Sequence, residues 1–414
     1  MQVNLFWTFF VISFCAYIFN NIPRHAFVVN PRVICAYNIR VVLMKIQTSL
    51  IHGGGENALG AVSPPVFLTS TFKNAEIHGY SYSRCSNPTR EALEKTIALA
   101  EGGEYGFAFS SGLAAEDALF SLFPRIIAGK NIYGGTRRLL NNFVTKGAYV
   151  VYADTSDLWA VEKEAKIAPS LIFAETPANP LMQISDISAL AAISKKHDCR
   201  LAIDNTFLTP VLQRPLSLGA DVVVHSATKY LCGHHDSTAG CIVTNDSELA
   251  KSLNLAITTK GNGLSPFDSF LVKRGLETLY LRMKAVCENA AKVFEYLKTK
   301  SQIRKNFYAG DPESAGFKVM KSQVSGFGGI ISFEIDEMAD FKKFLSSLKL
   351  IAFAESLGGN ATLITHPFSQ THASLSAKEK AEGGISKNLF RLSVGTEDYG
   401  DIIEDLDNGL ESCL

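Results

Sequence analysis

Lys229 closes a stretch that runs Ala220-Asp-Val-Val-Val-His-Ser-Ala-Thr-Lys-Tyr230. A β-branched run, Val222 to Val224, passes into small hydroxyl residues and then a lysine. This is how a buried parallel strand delivers side chains to its carboxyl edge, where ligands are held. An ammonium buried there is costly unless it is paired or neutralised, and a Schiff base with an aldehyde is one chemical way to neutralise it. Upstream, Asp204 ends another β-like run, Arg200-Leu-Ala-Ile-Asp-Asn205. A lysine imine together with an aspartate on a pyridine nitrogen is the pairing that pyridoxal 5′-phosphate (PLP) requires. Ser226 and Thr228, beside the lysine, offer hydroxyl donors to a phosphate. Taken singly, Lys229 and Asp204 read more readily as a lysine capping a surface turn and an aspartate starting one, because charged residues are mostly exposed.

The elements that would position these residues alternate. Phe107-Ala-Phe-Ser-Ser-Gly-Leu-Ala-Ala115 reads as a strand, a tight small-residue turn and a helix start, and amides at such a terminus bind phosphate. Pro169-Ser-Leu-Ile-Phe-Ala-Glu-Thr-Pro-Ala-Asn-Pro180 is a strand ending in polar residues, with Glu175 a structural member of that edge. A helix from near Ser185, with Ile187, Leu190 and Ala191 on one face, crosses back to the Leu201 strand. Strand, helix and strand in alternation give a mostly parallel sheet covered by helices. Asn87 and Pro88 are a good N-cap and first residue for a helix through Leu93 and Ile97 to Gly102.

Beyond about residue 268 the pattern changes. A long helix, Phe270 to Lys298, leads to an antiparallel-looking set: Ile330–Ile335, Leu350–Ser356 and Leu389–Val394. Asp398 or its neighbours start a last helix with Ile402, Ile403, Leu406 and Leu410 on one face. Arg391 alternates with Phe390 and Leu392 and so points away from their face.

Composition narrows the partners. In 414 residues, 40 basic and 40 acidic side chains cancel, which argues against nucleic acid or an anionic membrane and for small polar partners. Eight cysteines show no CxxC pair or regular spacing, against both a disulfide framework and a zinc knuckle. Cys232-Gly-His-His-Asp236 is too crowded for a closed zinc site, so no metal is expected. Leu5 to Phe19 is apolar but short for a membrane span, no lysine or arginine precedes it, and no clear cleavage site follows.

The words Asp204-Asn-Thr-Phe-Leu-Thr-Pro210, Leu218-Gly-Ala-Asp221 and His225-Ser-Ala-Thr-Lys-Tyr230 together resemble the signature of the cysteine and methionine metabolism PLP enzymes. That family includes cystathionine γ-synthase, cystathionine β- and γ-lyases, methionine γ-lyase and O-acetylhomoserine sulfhydrylase. The resemblance runs from about Ile51 to about Leu410. It implies an α/β chain of PLP fold type I, aspartate-aminotransferase-like, with a mostly parallel sheet, helices on both faces and a smaller α+β C-terminal domain. The expected division is a non-family leader or over-long start over 1–43, an arm over 44–86 that reaches the neighbouring subunit, a PLP-binding domain over 87–268 and a C-terminal domain over 269–414.

The resemblance also assigns roles. Lys229 carries the cofactor and acts as base, Asp204 partners the pyridine nitrogen, and Tyr133 stacks on the ring and assists proton transfer. Gly112, Leu113, Ser226 and Thr228 take the phosphate, with Tyr82 and Arg84 reaching it from another subunit, and Asn179 bonds the ring's O3′ oxygen. Arg391 grips the substrate α-carboxylate and Ser356 orients it, while Arg138 points at the substrate's distal end and Glu355 is a further substrate-binding residue. Ser86 stands where the family has glycine, and the family's loop after the Leu122 helix is shortened at Pro124-Arg125. The implied activity is a PLP-dependent carbon–sulfur lyase of transsulfuration acting on a small sulfur amino acid. Glu355 and Arg138 lean it to cystathionine, by β- or γ-elimination. The alternatives are γ-replacement on an O-acylhomoserine, methionine γ-lyase or O-acetylhomoserine sulfhydrylase activity, a PLP-binding regulator without turnover and, fitting poorly, an aminotransferase. A cytoplasmic homo-oligomer is expected, a dimer with shared active sites or a tetramer.

Overall fold

The computed structural model describes residues 44–55, 60–336, 338–373 and 376–413, so the expectation for 1–43 lies outside the described residues. Lys45–Leu414 cluster as one compact unit. Its larger sheet is made of β1 Tyr105–Phe109, β2 Arg125–Gly129, β3 Tyr149–Ala153, β4 Leu171–Glu175, β5 Arg200–Asp204, β6 Val222–His225 and β7 Gly240–Thr244, in the order β1-β7-β6-β5-β4-β2-β3. Strands β2 to β6 run parallel, and β7 is antiparallel to both β6 and β1. Every residue of β2, β4, β6 and β7 is buried, as a sheet covered on both faces requires. Phe173, Val222 and Val224 pack with the helices Gly112–Phe120 and Ser247–Lys260, while Ile172, Leu201 and Ile203 pack with Leu158–Ala165 and Ile187–Lys196. Each such side chain contributes about 1.5–3 kcal/mol of burial.

This topology fixes where chemistry can occur. Glu175 pairs with Asp204 and Asp204 with Val224, so the carboxyl ends of β4, β5 and β6 are level. Because β1 and β6 are both antiparallel to β7, the turn after β1 comes to the same edge. There Ser111 caps the helix Gly112–Phe120. The helix Pro88–Glu101 forms as expected: the Asn87 side chain accepts from the Thr89 N–H at 3.0 Å, a cap worth about 1 kcal/mol, and Gly102 ends it at φ 75°.

The smaller sheet has β8 Ile303–Tyr308, β9 Ile330–Ile335, β10 Ala352–Phe353, β11 Leu363–Thr365 and β12 Leu389–Ser393, in the order β10-β11-β12-β9-β8. One face, with Phe333, Phe390 and Leu392, is sealed by the helices Pro266–Lys298 and Tyr399–Ser412. Arg391 pairs with Thr365 and Ser332 on the other face. Ser332 Oγ donates to the Pro180 carbonyl at 2.6 Å, which docks that face on the loop following β4.

The structure adds detail to three expectations and corrects the second of them. The arm expected over 44–86 contains two helical stretches, Ile46–His52 and Ala75–His78. Leu50 is buried, and the Lys273 ammonium donates to the Leu50 and Ile51 carbonyls, supplying a cation to the helix's unpaired C-terminal end. The strand expected over 350–356 shrinks to Ala352–Phe353, which pairs parallel with β11. Asp405 takes the N–H groups of Lys349, Leu350 and Ile351, and Ser356 turns to φ 100°, so neither end continues the ladder. The short Pro124 connection feeds straight into β2, where Arg125 bonds Ser170 and Glu164. Among the described residues six cysteines are free thiols, and no helix is long and apolar enough to cross a membrane.

Candidate active site

The level strand ends, the Gly112 helix start and the turn bearing Lys229 enclose a cavity of about 360 Å³. The Lys229 N–H bonds the Ser226 carbonyl at 3.1 Å, which shapes the turn. Gly358, at φ 74°, lies against it so closely that a Cβ would stand 2.8 Å from the Tyr230 nitrogen. The Lys229 ammonium donates to Ser356 Oγ at 2.9 Å. Its pKa is brought down to about 8 by burial and then by the Arg391 charge, with Glu355 opposing. Ser356 is a non-glycine residue in the left-handed region, a conformation costing roughly 1–3 kcal/mol that clusters at functional sites.

Arg391 is buried. Nη1 donates to Asn179 Oδ1 at 2.9 Å, and Nη2 donates to the Ser356 carbonyl at 2.9 Å and to Thr365 Oγ1 at 3.2 Å. Its Nε has no partner. Burial lowers its pKa to about 10, so it stays cationic at neutral pH and suits a carboxylate. The expected Ser356–Arg391 link is therefore made by the serine's carbonyl, while its hydroxyl serves Lys229.

The opposite wall is acidic. Asp204 accepts the Thr206 N–H at 2.8 Å, Glu175 accepts the Tyr133 N–H at 2.7 Å, and Glu116 accepts the Thr136 hydroxyl at 2.9 Å. Burial raises all three carboxyls, Glu175 to about 8, and the Asp204 charge pushes Glu116 and Glu175 further. Beside them Ser111 Oγ takes the Ala114 N–H at 3.0 Å, leaving the amides of Gly112 and Leu113 for an anion. Gly112 lies so near Ser226 that a Cβ there would sit 3.0 Å from the serine's own. The Ser226 N–H bonds Thr206 Oγ1, and the Thr228 hydroxyl bonds the Ala239 carbonyl at 3.2 Å.

Of the residues singled out from sequence, Gly112, Leu113, Tyr133, Asn179, Asp204, Ser226, Thr228, Lys229, Glu355, Ser356 and Arg391 all line this cavity. Tyr82, Arg84 and Arg138 do not. Tyr82 and Arg138 are exposed, and the Arg84 guanidinium bonds the Thr258 carbonyl and lies 5.6 Å from the Tyr82 ring centre. Glu116, Thr206 and Thr371, not singled out, also line it. Glu116 follows Gly112 by one helical turn and so shares its face, a spacing visible in the sequence. Thr371 carried no local signal.

A lysine with a depressed pKa, an aspartate on the same cavity, open amides at a helix start and a buried guanidinium with an unpartnered Nε fit PLP and an amino-acid substrate. Fold and cavity together define a PLP-dependent enzyme. The model of the Cys/Met metabolism PLP-dependent enzyme family matches residues 47–411, and the chain belongs to that family. It is 45% identical over 378 residues to a cystathionine β-lyase of Lactococcus lactis subsp. cremoris, covering 89% of this chain and 100% of that one. It is 43% identical over 371 residues to a cystathionine γ-synthase of Haemophilus influenzae, covering 87% and 96%. A crystal structure of cystathionine γ-lyase from Lactobacillus plantarum complexed with L-serine matches with a TM-score of 0.86 and 43% identity, covering 89% and 99%. The chain is thus a transsulfuration enzyme using PLP, with relatives divided among β-lyases, γ-lyases and γ-synthases.

Proposed function

We propose that this chain cleaves cystathionine, breaking its carbon–sulfur bond by β- or γ-elimination in the cavity around Lys229. One observation carries the reading: a lysine amine with a pKa of about 8 shares a cavity with a buried arginine whose Nε is unpartnered. Arg391 takes the substrate α-carboxylate in its fork, with Asn179 and the Ser356 carbonyl fixing the guanidinium plane. Lys229 would hold PLP, which would supply the electron sink. Lys229 then serves as general base at Cα, since an amine titrating near 8 is in part free at neutral pH, and Ser356 Oγ steadies its Nζ. Asp204 would partner the ring nitrogen as the anion. Gly112, Leu113, Ser226 and Thr228 would hold the phosphate, and Asn179 would bond the ring's O3′ oxygen. Tyr133 would cover the ring and help pass the proton to the departing sulfur.

Glu355 on the cavity wall and Arg138 outside it read the distal end of the substrate. Tyr82 and Arg84, exposed and away from their own cavity, reach a second subunit's phosphate, so the working unit is a homodimer or a pair of them, placed in the cytoplasm. The arm over 44–86, the PLP-binding segment 87–268 and the C-terminal segment 269–414 are the parts of that unit. β- and γ-lyases among the relatives support cleavage. The 43% identical synthase favours γ-replacement on an O-acylhomoserine as a second reading. Incubation with cystathionine tests the choice: pyruvate marks β-elimination and 2-oxobutyrate γ-elimination. Neither keto acid, with cystathionine made from an O-acylhomoserine and cysteine instead, overturns cleavage.

A further inference from the structure

Glu116 has no part in the reading above. It is 4% exposed and stands on the cavity wall with Glu175 and Asp204. Its Oε1 accepts the Thr136 hydroxyl, whereas its Oε2 is buried and has no hydrogen-bond partner. Its two acidic neighbours each receive a backbone N–H, from Thr206 and from Tyr133. Cations are no nearer to helping. Among the described lining residues only Lys229 and Arg391 are basic, and these bond Ser356, Asn179 and Thr365. At the end of β6, His225 turns its Nε2 to Glu101, at 2.6 Å.

An ionised carboxylate needs donors at both oxygens, and a buried oxygen without one is where a proton is held most readily. The bond from Thr136 makes Oε1 the acceptor, which leaves Oε2 as the atom for the proton. We infer that Glu116 is held as a neutral carboxylic acid with its proton on Oε2. It is then a positioning residue that leaves Asp204 as the anion that would face the cofactor ring. This rests on the reading above for the pose of the ring. Burial and the neighbouring Asp204 charge push the Glu116 carboxyl well above the usual range, in the same direction.

Infrared difference spectra of the unsubstituted protein minus Glu116→Gln, recorded near neutral pH with and without PLP, test it. The expected difference is one protonated-carboxyl C=O band lost and no carboxylate band lost; loss of a carboxylate band instead overturns the inference. If Glu116→Gln does not fold, as judged by circular dichroism, the Glu175→Gln protein labelled with [13C]glutamate carries the test. One glutamate carboxyl must stay protonated near neutral pH, and its signal must move when Thr136→Val removes the hydroxyl that bonds Glu116. That response separates it from Glu94, itself pushed up to about 7 by burial. All carboxyls ionised, or a protonated one indifferent to Thr136→Val, contradicts the inference. In the PLP-loaded Glu116→Gln protein, a neutral amide replacing a neutral acid leaves the pH midpoint of the cofactor's visible absorption in place. Removing an ionised Glu116 would shift that midpoint by about one unit or more. Failure of borohydride to fix PLP to Lys229 would sink the proposed function alone, since the cofactor-free spectra stand by themselves.

Discussion

The two walls of the cavity are built by opposite means. One rests on the carboxyl ends of β4 and β5 and on the helix from Gly112, and carries the acids Glu116, Glu175 and Asp204. The other gathers the Lys229 turn, the 354–358 segment and Arg391 of β12, and carries the bases. Burial is the first cause acting on both. It raises the three acids and lowers Lys229 and Arg391, so each wall is pushed toward neutrality. A ligand with a cationic ring toward the acids and a carboxylate toward Arg391 relieves both penalties together. The contrast between the walls, more than any single group, selects a cofactor–amino-acid pair.

Breaking the basic wall at its centre has the largest effect. Lys229→Ala removes both attachment and base, and kcat for keto-acid release is expected to fall on the order of 10³–10⁴-fold. Asp204→Asn removes the anion of the opposite wall, with a kcat loss on the order of 10²-fold and a changed visible spectrum of the bound cofactor. Arg391→Ala deletes a charge-assisted fork of about 1.5–3 kcal/mol, so KM rises by about 10–100-fold while kcat moves less. A pH series sharpens the comparison. Only the free Lys229 amine attacks an aldehyde, so PLP uptake by the cofactor-free chain should level off above about pH 8 and fall about ten-fold per unit below it. Ser356→Ala removes the hydroxyl that steadies Nζ but keeps the carbonyl that holds Arg391. Steady-state rates should therefore fall only about two- to ten-fold, as for one hydrogen bond.

The strands beneath the acidic wall were legible in sequence, although Glu116 on that wall was not singled out. These strands are short apolar runs ending in Glu175 and Asp204, and the Asn87-to-Gly102 helix carries both of its caps in the chain itself. The side chains of the basic wall, Lys229, Ser356 and Arg391, were named from sequence, but the elements that bring them together were harder to read. β8 is an edge strand bearing exposed Arg304 and Lys305, β10 is only two residues, and β11 three, so no period could announce them. The left-handed Ser356 and the carboxylate of Asp405 that pre-empts three amides are tertiary effects. Arg391 was found through its strand alternation and the family words around it, while the Ile46–His52 helix was hidden because Lys273 anchors it from far along the chain.

The claim on which the rest depends is that Lys229 carries PLP covalently. Borohydride reduction of the PLP-loaded protein, followed by peptide mapping, tests it directly. The account predicts one stable pyridoxyl adduct, on the peptide containing Lys229. An unmodified Lys229, or an adduct confined to another lysine, would contradict it.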